Sequence, residues 1–246
     1  MELKVLTLNI WRYFEWDKRK EKVIKFLKEQ DADIVFLQET AYDERLKNKW
    51  ENQVHELNCE LNYKDFCFFK MAKMKKWHKE SIDWVMYYGL GILSKYPIKC
   101  KEVVFLPLVE RDRKFAFIHA ILETPKGNLD IINVHLENTD KGSKQHLKYV
   151  LKWCKKKKIK PIIAGDFNMQ ITSNIIGLAD KEYFISYKLK PYVSFMPTEF
   201  SNNKEPVTLD YIIASKDRFK IKHVECIDAS PSDHKPIIAL IEIKNK

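Results

Sequence analysis

The sequence lacks the cysteine patterns of several protein classes. Its five cysteines (Cys59, Cys67, Cys100, Cys154 and Cys226) are odd in number, and none lies in a Cys-x-x-Cys spacing. This argues against a disulfide framework and against a zinc site. It favours a reducing compartment, and we expect the protein to be cytoplasmic.

Long apolar runs are also missing. No segment approaches the roughly 20 apolar residues that a membrane-spanning helix needs. The first residues enter strand-like alternation directly, without the basic head and apolar stretch of a secretory signal, so we expect no export. No linker, low-complexity tract or internal repeat interrupts the 246 residues, which predicts one domain covering residues 1–246.

Positive charge is in excess. The net charge of +10 comes from 44 lysines and arginines against 34 aspartates and glutamates. Such an excess favours polyanionic partners, namely nucleic acid, an acidic membrane face or phosphorylated small molecules. A lysine-rich surface without functional meaning explains it equally well. The four lysines at 155 to 158 also suit the C-terminal end of a helix, where the dipole favours cations.

Apolar periodicity predicts a chain in which strands outnumber helices. Strands are predicted over residues 3–10, 34–37, 66–71, 87–93, 98–108, 115–122, 129–136, 162–164, 208–214, 219–227 and 236–243. Helices are predicted over residues 17–30, 43–57 and 143–158. Residues 73–84 are predicted as an exposed loop or lid, and residues 180–206 as a long surface loop over a site. Gly89 and Gly91 predict a close backbone approach within their strand.

Polar side chains recur at the ends of these apolar runs. Asp166 follows the run Ile162-Ile163-Ala164, and burying an unpaired carboxylate there would cost several kcal/mol. Taken alone, Asp166 fits a helix cap as well as a functional site. The same placement recurs in five further segments, however, and strand ends converge at one edge of a layered α/β domain. The full set comprises Asn9, Glu39, His135, Asp166, Asn168, Asp210, Asp233 and His234.

The residue types in this set indicate a chemistry. Asparagine and carboxylate oxygens suit Mg²⁺ or Mn²⁺, whereas the two histidines lack the close spacing of zinc ligands. A hard cation in a basic protein points to a phosphate ester as substrate. A carboxylate can then activate water, and a histidine can donate a proton to the leaving oxygen.

The segments that carry these residues resemble the endonuclease/exonuclease/phosphatase superfamily, which has the deoxyribonuclease-I-like fold. They occur in that family's order and span almost the whole chain. The matching segments are Leu8-Asn9-Ile10, Leu37-Gln38-Glu39, Asn133-Val134-His135-Leu136, Gly165-Asp166-Phe167-Asn168, Leu209-Asp210-Tyr211-Ile212 and Ser232-Asp233-His234.

The resemblance implies a fold of the α/β (α+β) class, a four-layer sandwich of two packed β-sheets flanked by helices. It also implies a metal region formed by Asn9, Glu39 and Asp233, with Mg²⁺ as the cofactor and Mn²⁺ as an alternative.

The resemblance further implies catalytic roles for five residues. Asp166 orients or activates the water, and Asn168 hydrogen-bonds the scissile phosphate. His234 contacts the phosphate and acts in acid–base or transition-state stabilisation, with Asp210 orienting its ring. His135 is the candidate general acid.

The role of two arginines is inferred from their position in the sequence alone. Arg111 and Arg113 lie in the charged turn 110–114, from which they would reach the substrate phosphate. The alternative is that these arginines only keep the charged turn exposed to solvent and have no role in substrate binding.

The chain departs from the abasic-site endonuclease branch. Trp11 and Arg12 stand where those proteins typically have Asn or Asp followed by Gly, and His135 stands where they tend to have Tyr. The form of the motif around His135 is closer to the deoxyribonuclease, deadenylase, sphingomyelinase and inositol-phosphatase branches. Bacterial sphingomyelinases are usually exported, and inositol phosphatases carry further motifs around the final histidine that this chain lacks.

The leading hypothesis is therefore a Mg²⁺-dependent phosphodiesterase that cleaves nucleic acid, DNA or RNA, with no obligate protein partner. The first alternative is a hydrolase of phospholipids or small phosphoesters such as inositol phosphates. The second is a non-catalytic binding module on the same scaffold, which the intact set of acids, histidines and asparagines opposes.

Overall fold

Fourteen strands and four helices are found in residues 1–77, 80–170, 177, 179–199, 204–228 and 231–244, which the computed structural model describes. The strands are β1 Glu2–Asn9, β2 Ile34–Asp43, β3 Asp65–Lys73, β4 Lys76–Trp77, β5 Glu80–Ser81, β6 Met86–Ser94, β7 Ile98–Phe105, β8 Ala116–Thr124, β9 Gly127–His135, β10 Ile162–Asp166, β11 Tyr183–Ile185, β12 Asp210–Ser215, β13 Phe219–Cys226 and β14 Ile237–Ile243. The helices are α1 Trp16–Gln30, α2 Gln53–Leu61, α3 Asp140–Lys157 and α4 Ser186–Leu189. None of these described helices is both long and apolar enough to cross a membrane.

Twelve of these strands form two six-stranded mixed sheets. The first sheet has the order β13-β14-β1-β2-β6-β3, and the second has the order β11-β12-β10-β9-β8-β7. Each contains one parallel pair near its centre, β1 with β2 and β9 with β10, and the remaining pairs are antiparallel. The carboxyl ends of the two parallel pairs carry Asn9, Gln38, His135 and Asp166.

Burial on both faces of the sheets produces four layers. Leu3 and Val5 of β1 pack in a core cluster that also contains Ile131 and Ile162 of the second sheet. The alternate side chain Leu6 packs in a cluster with residues of α1 and α2. A third cluster joins α3 to the outer face of the second sheet. The predicted four-layer α/β sandwich is confirmed, because each sheet buries one face on the other sheet and one face on helices.

A buried amide ties the two sheets together. Asn133 of β9 is fully buried, and its Nδ2 donates to the carbonyl oxygens of Leu37 at 2.9 Å and Gly91 at 2.7 Å in the first sheet. Its Oδ1 accepts from Nε2 of Gln38 at 2.7 Å. Three hydrogen bonds therefore fix the register between the sheets directly below the carboxyl ends of β2 and β9.

Replacing Asn133 with alanine is expected to destabilise the fold by about 3 kcal/mol, because it removes three hydrogen bonds and leaves buried polar groups unpaired. Urea unfolding of Asn133→Ala checks this. Asn128→Ala is the matched control, since Asn128 is exposed on the same strand. Equal stability of the two variants would show that the buried amide contributes nothing.

The predicted helix over residues 43–57 is correct only from Gln53 onward, and its first part is wrong. β2 continues through Asp43, which pairs with Met86, because β6 extends far enough to provide hydrogen bonds. The helix begins only at Gln53, where the Asn52 side chain accepts the backbone N–H of His55. Residues 43–57 include the end of β2, the 3-10 turn Glu44–Leu46 and the first turn of α2, and periodicity alone could not separate them.

The two predicted loops contain more structure than expected. Strands β4 and β5 pair within residues 73–84, and β11 and α4 lie within residues 180–206. Residues 78, 79 and 200–203 of these loops lie outside the described residues. The close approach predicted at the two strand glycines is confirmed, since a Cβ at Gly89 would lie 1.8 Å from the carbonyl oxygen of Phe69 and one at Gly91 would lie 2.3 Å from Val54 Cγ2.

Candidate active site

Sheet topology brings four of the predicted site residues together. In the second sheet, Asp166 at the end of β10 pairs with His135 at the end of β9 and with Asp210 at the start of β12. Asn9 ends the central strand of the first sheet, and its side chain reaches Asp166 across the sandwich. Residues far apart in sequence meet because both sheets end at the same edge.

The carboxylate of Asp166 is held on both oxygens. Oδ2 accepts from Asn9 Nδ2 at 3.2 Å, and Oδ1 accepts from the backbone N–H of Asn168 at 2.8 Å. Nε2 of His135 lies 3.6 Å from Oδ2. Asp166 does not cap a described helix, since residues 167–170 are not helical. Asn168 has a left-handed φ of 50°, and its Nδ2 donates to the carbonyl oxygen of Leu136 at 2.9 Å.

A second buried group faces Asp166. Nδ1 of His234 donates to Asp210 Oδ2 at 2.8 Å, and Ser194 Oγ donates to the same oxygen at 2.7 Å. The backbone N–H groups of Leu209 and Asp210 donate in turn to Ser194 Oγ. Nε2 of His234 lies 3.9 Å from Asp166 Oδ2. The imidazole is thereby fixed, with one nitrogen on Asp210 and the other directed at Asp166.

Burial and neighbouring charges move three pKa values apart. Burial, together with the charge of Asp210, raises the pKa of Asp166 to about 7. Burial opposes protonation of His234, but Asp210 and Asp166 outweigh it and raise its pKa well above the ordinary value. Burial lowers the pKa of His135 to about 4. The raised pKa favours the protonated form of the His234 ring, and the lowered pKa favours the neutral form of His135. The role of His135 as general acid stays a prediction.

Glu39 reaches the site through a break in its strand. A bulge between Gln38 and Thr40 interrupts the pairing of β2 with β6, and Glu39 has a left-handed φ of 50°. Such a conformation is costly for a residue with a side chain and is found preferentially at functional sites. The sequence placed Glu39 at a strand end, whereas the structure places it inside β2, turned out of the sheet by the bulge.

Arg12, which the sequence analysis did not select, pairs with Glu39. Its Nε lies 2.9 Å from Glu39 Oε2, and its backbone N–H donates to the Glu39 carbonyl oxygen at 2.8 Å. Burial opposes ionisation of Glu39, but Arg12 and then His135 and His234 outweigh it and lower its pKa. The sequence contained a sign of this role, because Arg12 lies just after Asn9, where the chain departs from the abasic-site branch. Only the structure shows that Arg12 pairs with Glu39.

Arg19 holds the segment that carries Arg12. Its guanidinium donates to the carbonyl oxygens of Ile10, Trp11, Arg12 and Phe14, and also to that of Pro231. It therefore ties residues 10–14 to the segment preceding Asp233 and His234. Sequence reasoning missed this residue because a helical arginine gives no sign of which carbonyl groups surround it.

The predicted residues line one cleft of about 750 Å³. Arg111 and Arg113 lie on its wall in an exposed loop, with the Arg113 guanidinium 4.7 Å from the Phe115 ring centre and 5.5 Å from that of Tyr88. Asn9 and Asp210 lie beneath the surface of this cleft. The lining residues are Trp11, Arg12, Glu39, Arg111, Arg113, His135, Asn138, Thr139, Asp140, Lys144, Asp166, Asn168, Met169, Gln170, Phe195, Thr198, Leu209, Asp233 and His234.

Two groups of residues have the oxygen donors that a cation needs. Glu39 and Asp233 both line the cleft; burial raises the pKa of Asp233, and the charge of Glu39 raises it further. Oε2 of Glu39 is buried and, within the described residues, accepts no hydrogen bond apart from its ion pair with Arg12. Two carboxylates that line the same cleft supply oxygen donors of the kind that a hard divalent cation prefers.

Asp166, Asp210 and His234 form the second group, with one potential ligand atom of each within 4.8 Å of the others. Oδ1 of Asp210 is buried there without a hydrogen-bond partner in the part of the chain that the structure describes. A metal ligand must be unprotonated, however, and the pKa of His234 is raised. The raised pKa of Asp233 acts against the first group in the same way, so the metal region of Glu39 and Asp233 stays a prediction from the resemblance.

Comparison with models of known protein families identifies the family that the sequence motifs resemble. The model of the Endonuclease/Exonuclease/phosphatase family matches residues 6–234. A search of curated proteins found no match.

Three solved structures illustrate the structural similarity. An endonuclease/exonuclease/phosphatase from Beutenbergia cavernae is 17% identical, with a TM-score of 0.78 over 98% of this chain and 72% of that one. The human Nocturnin catalytic domain with bound sulfate is 19% identical, with a TM-score of 0.74 over 99% of this chain and 95% of that one. A mannosyl-6-phosphatase from Bacteroides thetaiotaomicron is 15% identical, with a TM-score of 0.74 over 98% and 100% of the two chains. At these identities the likeness establishes the fold.

Proposed function

The chain belongs to the endonuclease/exonuclease/phosphatase family, whose members hydrolyse phosphoester bonds, and on that premise we propose that it is a divalent-metal-dependent phosphodiesterase acting on nucleic acid. One observation carries the proposal: the carboxylate of Asp166, fixed by Asn9 and Asn168, faces the His234 ring, which is held by Asp210, in a cleft bordered by arginines. A base beside a cation is the arrangement that attack of water on phosphorus requires.

Each residue then has a task set by its contacts. Asp166, whose pKa is raised to about 7, orients the attacking water and accepts its proton. His234, kept protonated by Asp210, donates to a phosphoryl oxygen and offsets the charge that grows there. Asn168 hydrogen-bonds the scissile phosphate, and Arg113, which lines the same cleft, binds another of its oxygens. Charged donors already fixed in place lose little free energy to reorganisation during the reaction.

Glu39 and Asp233, supported by Asn9, would hold the cation, with Mg²⁺ preferred and Mn²⁺ as the alternative. When bound, such an ion polarises phosphoryl oxygens and neutralises developing charge. The ion pair of Arg12 with Glu39 then balances the excess negative charge of this region.

Removing divalent ions with a chelator is expected to abolish hydrolysis, and added Mg²⁺ or Mn²⁺ is expected to restore it. In calorimetric titration with Mg²⁺, Glu39→Gln should weaken binding at least about tenfold, because loss of even an outer-shell partner has that effect. Glu123→Gln, on the exposed side of β8, is the control and should bind as the wild type does. Equal binding by Glu39→Gln and wild type would contradict the assignment.

The lining of the cleft favours a polar, anionic substrate. Four cationic side chains, Arg12, Arg111, Arg113 and Lys144, border it. The described part of residues 180–206 contributes Phe195 and Thr198, and Phe195 packs against the His234 ring at 5.0 Å between ring centres. A lipid tail would need a wider apolar surface than this, so the cleft favours nucleic acid over phospholipid.

A small phosphoester is the second candidate, because a cleft of about 750 Å³ also suits a compact ligand. A hydrolysis panel separates the candidates, with single-stranded and duplex DNA, RNA, bis-p-nitrophenyl phosphate, sphingomyelin and inositol phosphates. Metal-dependent cleavage of a nucleic acid supports the proposal. Turnover of small esters alone supports the second candidate, and no metal-dependent turnover supports the binding module. The cytoplasmic location and the lack of an obligate protein partner stay predictions.

A further inference from the structure

We propose that a recess beside the cleft binds a second phosphate group of the substrate, next to the phosphate that is cleaved. The inference rests on the proposed function, since it specifies the substrate of that site. The recess is lined by Arg111, Asp112, Arg113 and Asn138, and it has a volume of about 300 Å³. It shares Arg111, Arg113 and Asn138 with the catalytic cleft, so one ligand can occupy both.

The chemistry of the recess favours phosphate. Two arginines and an asparagine are among the residues that line a space several times the roughly 30 Å³ that one water occupies in the liquid. The planar donor fork of arginine matches the oxygen spacing of phosphate, and a hydrogen bond to a charged group is stronger than a neutral one. Asp112 is the carboxylate among these lining residues, and the two arginines outweigh its charge.

The wall of the recess is fixed from inside the protein. Oε1 of Glu137, a fully buried carboxylate, accepts the backbone N–H groups of Glu110 at 3.2 Å and Arg111 at 3.0 Å. It also accepts the hydroxyl of Thr139 at 2.9 Å. A buried charge is costly unless it is compensated, so its use to hold two loop amides indicates that the position of this loop matters.

A second buried residue fixes the base of the same loop. Nε2 of His146 donates to the carbonyl oxygen of Pro107 at 2.8 Å, and Nδ1 accepts the backbone N–H of Glu137 at 3.3 Å. Glu137 and His146 together hold the segment from Pro107 to Arg111 against the start of α3. Arg113, at the other end of the loop, lies over two aromatic rings.

The anion has two possible sources with the same chemistry. In a nucleic acid it is the neighbouring phosphate of the same strand, and in a small substrate it is a second phosphate on the same molecule. Catalytic Asp166 and His234 act on one phosphate, while Arg111 and Asn138 hold the other. The recess therefore makes this chain prefer substrates with two phosphates over those with one.

Paired substrates test the proposal. One pair is a dinucleotide with and without a terminal phosphate, prepared in 5′ and 3′ forms, and the other is inositol monophosphate and inositol bisphosphate. We expect wild type to favour the doubly phosphorylated member of one pair by at least about tenfold in kcat/KM, mainly through KM. In Arg111→Ala that preference should fall to about threefold or less. Lys101→Ala, an exposed cation on β7, should keep it.

A second variant tests whether Glu137 positions the loop that lines the recess. Glu137→Gln should lower the same preference and speed hydrogen exchange in the peptide covering residues 106–115, because the two loop amides lose a charged acceptor. Unchanged exchange there would contradict the positioning role of Glu137.

The outcomes separate this inference from the proposed function. Hydrolysis without preference in either pair would overturn the recess, and cleavage of the dinucleotides would leave the phosphodiesterase intact. No hydrolysis of either pair would overturn the proposed function. In that event calorimetric binding of the phosphorylated dinucleotide decides, and equal affinity for wild type and Arg111→Ala would overturn the recess as well.

Discussion

Replacing Asp166 with asparagine is expected to lower kcat by about 10²- to 10⁴-fold, the range for loss of a positioned general base. The substitution keeps the shape of the side chain, but its amide has one accepting oxygen in place of two, so the hydrogen bond from Asn9 or that from Asn168 is lost. It removes the group whose pKa, raised to about 7, suits it to accept a proton near neutral pH. Steady-state kinetics with the best substrate of the hydrolysis panel measures the effect.

Asp130→Asn is the matched control. Asp130 lies on β9, the strand beside Asp166, and pairs with Nε2 of His119 at 2.9 Å, but neither residue lines the cleft. Circular dichroism should show both variants folded. Activity of Asp166→Asn equal to that of Asp130→Asn would show that Asp166 is not the base.

The pair formed by Asp210 and His234 should behave as one unit. His234→Ala removes the cation that faces the phosphate, and Asp210→Asn removes the charge that keeps this ring protonated and oriented. Each is expected to lower kcat by about 10²- to 10⁴-fold. The double variant should be no slower than the worse single variant, because removing either residue disables the same interaction.

A double-mutant cycle on kcat tests this dependence. The pair of His119 and Asp130 supplies the control cycle, since it has the same residue types and a similar separation outside the cleft. Independent, additive effects of Asp210→Asn and His234→Ala would contradict the prediction that the two residues act as one unit. Loss of activity in the control cycle would show that the effect reports stability instead.

Much of the candidate site was predictable because several of its residues lie at strand ends, which the apolar pattern of the sequence reveals. Asn9, His135 and Asp166 lie at the ends of apolar runs, and the parallel pairing of β1 with β2 and of β9 with β10 places those ends at one edge. The error at residues 43–57 has a different origin. There the length of β2 is set by its partner β6, which no local pattern reveals.

The partners of the site residues were not predictable. Ser194 lies in a segment predicted only as a loop, yet it fixes Asp210 by accepting two backbone N–H groups and donating to the carboxylate. Glu137 follows a predicted strand, but its hydrogen bonds to Glu110 and Arg111 span 27 and 26 positions. Directional contacts over such separations depend on how loops pack, not on residue type or spacing.

The sequence by itself determined most of the strands and helices, because hydrophobic periodicity acts locally along the chain. Its motifs resemble one family, and that resemblance implied the layered α/β fold and several residues of the cleft. Only the tertiary structure determined the contacts, the backbone conformation and the pKa values of those residues. It placed Arg12 on Glu39, turned Glu39 out of its strand, raised the pKa of His234, lowered that of His135, and fixed the wall of the recess beside the cleft. These properties arise from burial and from charges brought together across the sandwich, and both exist only once the chain is folded.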